Sequence, residues 1–285
     1  MAVTYKIGGL NIIAINDIAP AGLQKLSEAM RQARQLVKKA TETTVIALHV
    51  VRSARETGFD AEEAVSLLET SFFRHLIVHF RLQDPEDIFK ALEGLTQKLQ
   101  RLMTGLLSPD LRLAEYGYHW FRPASAVAYV QMPLSHALFG GPSVHGCLNK
   151  DPAGYHNPHD VNIRFSTLAT VGNNTLTNTL IHECTHKYLA TDDVCVSGLP
   201  FTVLADFEAL YQNLGAPPQL GQLATLTPIQ AINEAYVMTN YIQHMPDVDL
   251  RAAAAIKTAE IRIDQTIGPR DSNLRIFNSI GNDDL

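Results

Sequence analysis

Disulfide chemistry has little to work with in this chain. Only three cysteines occur in 285 residues, Cys147, Cys184 and Cys195. The count is odd and the spacing unpaired, which argues against a disulfide framework or a cysteine knuckle and predicts reduced thiols. Nor is there a run of about eighteen apolar residues, so no membrane span is expected. Basic residues never cluster beyond the pair Lys38-Lys39, and the formal net charge is −6, so nothing favours a nucleic-acid partner. The apolar stretch from Gly8 to Ile15 is short, interrupted by Asn11 and preceded by the single Lys6, unlike a secretory signal. The expected location is therefore the cytoplasm, or export without a cleaved signal peptide. Internal repeats and low-complexity segments are also absent.

What is present describes a folded globule. Hydrophobic residues make up 46% of the chain and charged ones 18%, a balance that supports a core rather than disorder. At this length one large domain or two smaller ones are possible. Composition shifts near Ser108-Pro109. Before it, apolar residues recur at helical spacing from Ala21 to about Thr57, with a Thr-rich joint at 41 to 44. The pattern resumes from Ala61 to Leu82, with Asp60 as cap, and from Pro85 to Leu107, with Asp84 as cap. After it, the chain turns aromatic and turn-rich, with short strands predicted around Ala126-Val130 and over Val161 to Ser166.

One pentad names a chemistry. His182-Glu183-Cys184-Thr185-His186 is an HExxH run, which on a helix stacks two imidazoles one turn apart and sets Glu183 about 100° round from His182. Such a pair can hold one zinc ion, with the glutamate placed as general base. The pattern also arises by chance, so its surroundings carry the weight. Asn173-Asn174-Thr175 offers N-cap acceptors, and Leu176, Leu180 and Leu189 follow without Pro or Gly. The strand before it could pair through a free edge with an extended substrate.

A third ligand is needed, and three carboxylates compete. Asp192 and Asp193 stand six and seven residues after His186, where a chain turning back from the helix end can reach the metal. Glu234 is the only formally charged residue between Glu208 and Asp247, in a helical run predicted from Thr227-Pro228 to His244. A carboxylate among Ile, Ala, Tyr and Met needs a partner, which could be zinc, a ligand histidine or a backbone donor.

The stretch from His182 to Asp193, His-Glu-Cys-Thr-His-Lys-Tyr-Leu-Ala-Thr-Asp-Asp, resembles the aspzincins, the deuterolysin and peptidyl-Lys metallopeptidase group. Glu234-Ala235-Tyr236 is similar to that family's later acidic-small-Tyr signature. The resemblance spans roughly residues 161 to 242. It implies a Zn2+ cofactor, a peptide or protein substrate, and Asp193 as third ligand when Thr191 is aligned with the family's threonine. Metzincin spacing would instead select Asp192, but that family has a glycine where this chain has Leu189. Two departures stand out: the family's glycine is Ala190 here, and Val196 occupies the place of a tyrosine near the oxyanion. Tyr188, Tyr236, Tyr241 and His244 are the candidates to replace it.

The reading is a mostly helical α+β fold, with a helical region over residues 1–108 and a zincin-like catalytic domain over 109–285. The expected function is zinc-dependent peptide hydrolysis with Glu183 as base, in a chain that could act as an exported effector or toxin. The alternative is a catalytically impaired zincin-fold binding protein that uses residues 1–108 to engage a protein partner. Two further histidine groups are not read as metal sites: the first as core or boundary residues, the second as lining the cleft floor or decorating a loop. His75 and His79 are four apart but enclose only aliphatic residues, and His145, Cys147, His156 and His159 match no zinc-knuckle spacing.

Overall fold

Gly8 and Gly9 have φ values of 56° and 75°, the left-handed pair that a tight hairpin turn requires and that glycine adopts without steric cost. They join β1 (Val3–Ile7) to β2 (Leu10–Ala14) in antiparallel register, Ile7 opposite Leu10. This hairpin contains the apolar stretch from Gly8 to Ala14. The computed structural model describes residues 2–116, 128–130, 159–191 and 228–267. Over these the chain is mostly helical with a small mixed sheet, an α+β arrangement.

Beside β2, in parallel, runs β3 (Arg112–Glu115), and beside that β5 (Val161–Ile163); β4 (Ala128–Val130) closes the order β1-β2-β3-β5-β4 antiparallel to β5. The strand expected at 161–166 is thus shorter and flanked on both sides, so it offers no free edge. Among the described residues β1 and β4 are the two outer strands. The parallel step from β2 to β3 is bridged by α1 (Pro20–Glu56), α2 (Ala61–Ser66), α3 (Thr70–Phe80) and α4 (Pro85–Leu107). The division expected at Ser108-Pro109 falls between α4 and β3, and strands from both sides share this sheet and one continuous core.

Two helix boundaries differ from the sequence reading for local reasons. The Thr-rich joint does not break α1, because Thr41 and Thr44 turn their hydroxyls back onto the carbonyls of Val37 and Ala40 at 2.7 and 2.8 Å. Conversely, the run from Ala61 to Leu82 is two helices. Glu69 accepts from the backbone N–H groups of Ser71 and Phe72 and starts α3 afresh. Asp60 and Asp84 cap α2 and α4 as predicted.

The remaining helices are α5 (Asn173–Leu189), α6 (Pro228–Ile232), α7 (Ala235–Gln243) and α8 (Leu250–Ile267). The helix predicted from 228 to His244 is interrupted at Asn233-Glu234, where Glu234 becomes the N-cap of α7. The long α1 packs against α4, α5, α7 and α8. At Gly105 on α4 a Cβ would fall inside the Tyr188 ring, so glycine there is what lets α4 and α5 approach. No helix among the described residues is long and apolar enough to cross a membrane.

His75 and His79 are core groups of α3. The last carbonyls of α7 have no intrahelical donor, and His75 Nε2–H donates to one of them, Tyr241 O, at 2.9 Å. His79 Nδ1–H donates to His75 O at 2.7 Å. Burial pushes His75 down to about 4 and holds His79 well below its ordinary value, with the charge of His244 adding to both shifts. The unfolded chain, titrating near the ordinary 6.5, binds more protons as pH falls below that value, so stability is full above it and declines toward pH 4. Urea unfolding of the wild type should lose on the order of 3 kcal/mol across that window through His75 alone. His75→Gln, which keeps an N–H donor but cannot titrate, should flatten the decline; an unchanged slope would place the acid sensitivity elsewhere.

Candidate metal centre

The pentad lies on α5, as the sequence predicts, but the helix starts differently. Gly172 in extended conformation takes the N-cap position, with its carbonyl receiving Leu176 N at 3.0 Å, and no side chain caps the helix. Asn173-Asn174-Thr175 form the exposed first turn instead. From Leu180 onward every residue to Thr191 is buried. The helix lies among α1, α4 and α7 and against β4 and β5.

The two histidines converge. His182 Nε2 and His186 Nε2 are 3.1 Å apart with their rings perpendicular. Two imidazoles on one tetrahedral zinc, with Zn–N near 2.0–2.1 Å, bring their nitrogens to about 3.3 Å. The tautomer agrees. His186 Nδ1 lies 2.6 Å from Thr191 O, and a carbonyl only accepts, so Nδ1 carries the proton. In the neutral ring Nε2 is then a bare lone pair aimed at His182. Such a pair is joined either by one proton, donated from His182 Nε2, or by a cation. The donor set fits zinc.

Behind the pair stands a turn held by hydroxyls. Ala190 ends α5 in the left-handed region, φ 54° and ψ 37°, which sends the chain back along the helix. Thr191 Oγ1–H donates to Thr185 Oγ1 at 2.8 Å, and Thr185 in turn donates to His182 O at 2.7 Å. Lys187 is also buried, donating from Nζ to His159 O at 2.6 Å. That contact ties α5 to the entry of β5, beside the Arg112–Asp160 ion pair of 2.7 Å. Burial pulls the Lys187 ammonium below its usual range, and Cys184, a free buried thiol, is pushed up to about 12 and so stays unreactive. Thr185 and Lys187 were not singled out from sequence, and Thr191 entered only as the register for Asp193; the available signal was polar residues interrupting what would otherwise be a buried helical face.

Asp192 and Asp193 lie outside the described residues, as do Val196 and the 145 to 156 members of the soft-ligand cluster. Glu234 is described: it is buried, and its Oε2 accepts Val237 N at 2.6 Å as the cap of α7. Among the described residues no third His, Cys, Asp or Glu joins the pair into a ligand group. Two residues on from Glu234, Tyr236 sets its ring against His182, centroids 4.3 Å apart and planes at 54°. Glu183 is buried between the histidines in sequence. No protein-family model matches this chain, and no curated protein matches it.

The left-handed Ala190 explains why glycine would suit that position. A Cβ in this conformation costs about 1 kcal/mol or more. Ala190→Gly should therefore raise the unfolding free energy by about 0.5–1 kcal/mol, and Ala190→Val should lower it, both by chemical denaturation. Destabilisation by glycine would show that the turn is not held as described.

Proposed function

We propose that the chain is a zinc-dependent metallopeptidase of aspzincin-like, zincin-fold type. The observation that carries this reading is the 3.1 Å approach of His182 Nε2 to His186 Nε2, with the tautomer of His186 set from behind by Thr191 O. His182 and His186 would hold the ion together with Asp193, or Asp192 if the chain turns one residue earlier. Zinc bound there supplies the Lewis acidity that brings a water's pKa toward neutrality and polarises a carbonyl. Glu183 takes the proton as the water oxygen bonds to the carbonyl carbon, then delivers it to the amine nitrogen as the C–N bond breaks. An extended peptide or protein segment is the substrate class, and β4, an outer strand among the described residues that packs against α5, is where main-chain pairing would place it. Action on proteins of another cell, as an exported effector, extends this proposal.

Val196, where the family has a tyrosine, favours a second reading: a zinc-holding but catalytically impaired binding protein, with residues 1–108 contributing to a partner surface. Metal content and turnover separate the two. His182→Ala or His186→Ala should remove most bound zinc, as measured by elemental analysis after dialysis, since one histidine and one carboxylate hold the ion poorly. Glu183→Gln should keep zinc near the wild-type level while casein cleavage falls at least about 100-fold. Zinc without cleavage in the wild type selects the binding protein, and stoichiometric zinc in the double histidine mutant removes both readings.

The carboxylates separate by the same assay. Asp193→Ala should weaken zinc strongly and Asp192→Ala mildly. Glu234→Gln, whose amide oxygen can still cap α7, should leave zinc in place. Loss at Glu234 with none at either aspartate would assign the third ligand to the later helix instead.

A further inference from the structure

We infer that the Tyr236 hydroxyl is the hydrogen-bond donor to the scissile carbonyl oxygen, filling the role for which position 196 of the sequence carries valine. This rests on the zinc-peptidase reading of the His182–His186 pair and adds a residue to that site.

Four side chains were candidates in sequence, and their places in the fold differ. Tyr188 is buried with its ring seated on Gly105 of α4. Tyr241 is fully buried, and since Thr44 gives its own proton to Ala40 O, the Tyr241 hydroxyl donates to Thr44 Oγ1 at 2.8 Å. Its ring packs on His75 and Phe80. His244 stands at the C-terminal end of α7, close enough to His75 and His79 to influence both. Of the four, Tyr236 is the one with a described ring contact on the histidine pair, and it is half-buried.

Helix geometry makes the division between the two α7 tyrosines. Positions five apart lie about 140° round a helix, so Tyr241 faces α1 and α3 while Tyr236 faces α5. The start of α7 is pinned by the buried Glu234 cap, Val237 N to Glu234 Oε2 at 2.6 Å. Tyr236, two residues after that cap, therefore has a fixed place relative to His182. A phenol so held can donate without reorganising when charge develops, which is the condition for such a donor to act.

In the step itself, the water oxygen bonds to the carbonyl carbon and the carbonyl π pair moves onto its oxygen. Glu183 holds the water's proton and passes it to the amide nitrogen as the C–N bond breaks. Tyr236 keeps its own proton throughout and contributes a hydrogen bond to the charged oxygen.

The test uses the full chain loaded with zinc, as wild type, Tyr236→Phe and Tyr236→Ala. The readouts are zinc affinity, cleavage of casein and of a random peptide library, and calorimetric binding of a phosphonamidate peptide, whose tetrahedral phosphoryl oxygen stands in for the charged carbonyl oxygen. Tyr236→Phe keeps the ring contact. It should retain zinc and KM, lose about 100-fold in kcat, and bind the phosphonamidate about 100-fold more weakly. Tyr236→Ala should in addition weaken zinc, because His182 loses the ring beside it. Wild-type kcat and phosphonamidate affinity in Tyr236→Phe would overturn this inference while leaving the zinc reading intact. Loss of zinc in Tyr236→Phe would also overturn it, making the residue a support for His182 rather than a donor. A wild-type chain that binds no zinc, or cleaves neither substrate, would overturn the site reading and this inference together.

Discussion

A polar helix buried along its whole second half is the constraint around which this molecule is organised. From Leu180 to Thr191 the chain carries two histidines, a glutamate, two threonines and a lysine with no exposed position among them. Burying such groups without partners costs several kcal/mol in total. The partners are supplied by the chain that leaves and enters the helix. Thr191 turns back to take His186 and Thr185, and the carbonyl of His159 takes Lys187. A cation near the last turn also opposes the negative end of the helix dipole. The same contacts that make burial tolerable orient the His186 imidazole.

The rest of the fold keeps α5 in that environment. The uninterrupted α1 gives one spine to α4, α5, α7 and α8, and the absence of a Cβ at Gly105 lets α4 close on Tyr188. At its N-terminal end α7 presses Tyr236 onto His182, and at its C-terminal end it offers Tyr241 O to His75. One short helix thus connects the candidate metal centre to the buried histidines of α3. Residues 1–108 are part of this frame: β2 pairs with β3, and α1 lines α5.

Much of this was legible in sequence where local chemistry decides. Asp60 and Asp84 marked their helices because a carboxylate before an apolar-periodic run has one good use. The HExxH spacing placed both histidines on one face because the helical repeat leaves no other arrangement. Where tertiary context decides, the sequence was misleading. Thr41 and Thr44 look like a joint, but their hydroxyls bond within the helix and α1 continues. Glu69 and Glu234 look like mid-helix carboxylates, but each accepts backbone N–H groups and starts a new helix, since acceptors at a cap and in an interior are the same residue types. The Gly8-Gly9 hairpin was readable from its alternating flanks and was obscured by weighing that stretch only against a signal peptide.

Ala190 shows how a strained turn can be read physically. The turn after α5 requires a left-handed residue, and the geometry is met here by alanine at a cost that glycine would not incur. The contacts across the turn, Thr191 to His186 and to Thr185, are what hold that strained residue in place. A strained position persists only where its surroundings over-determine it, and here the surroundings are the groups that set the tautomer of His186. The cost at Ala190 and the orientation of the histidine pair are therefore two sides of one local structure. That coupling also bears on the missing tyrosine. Position 196 follows the turn, whereas Tyr236 comes from a helix capped independently by Glu234. A hydroxyl supplied from α7 is thus set by the Glu234 cap and by the ring contact with His182.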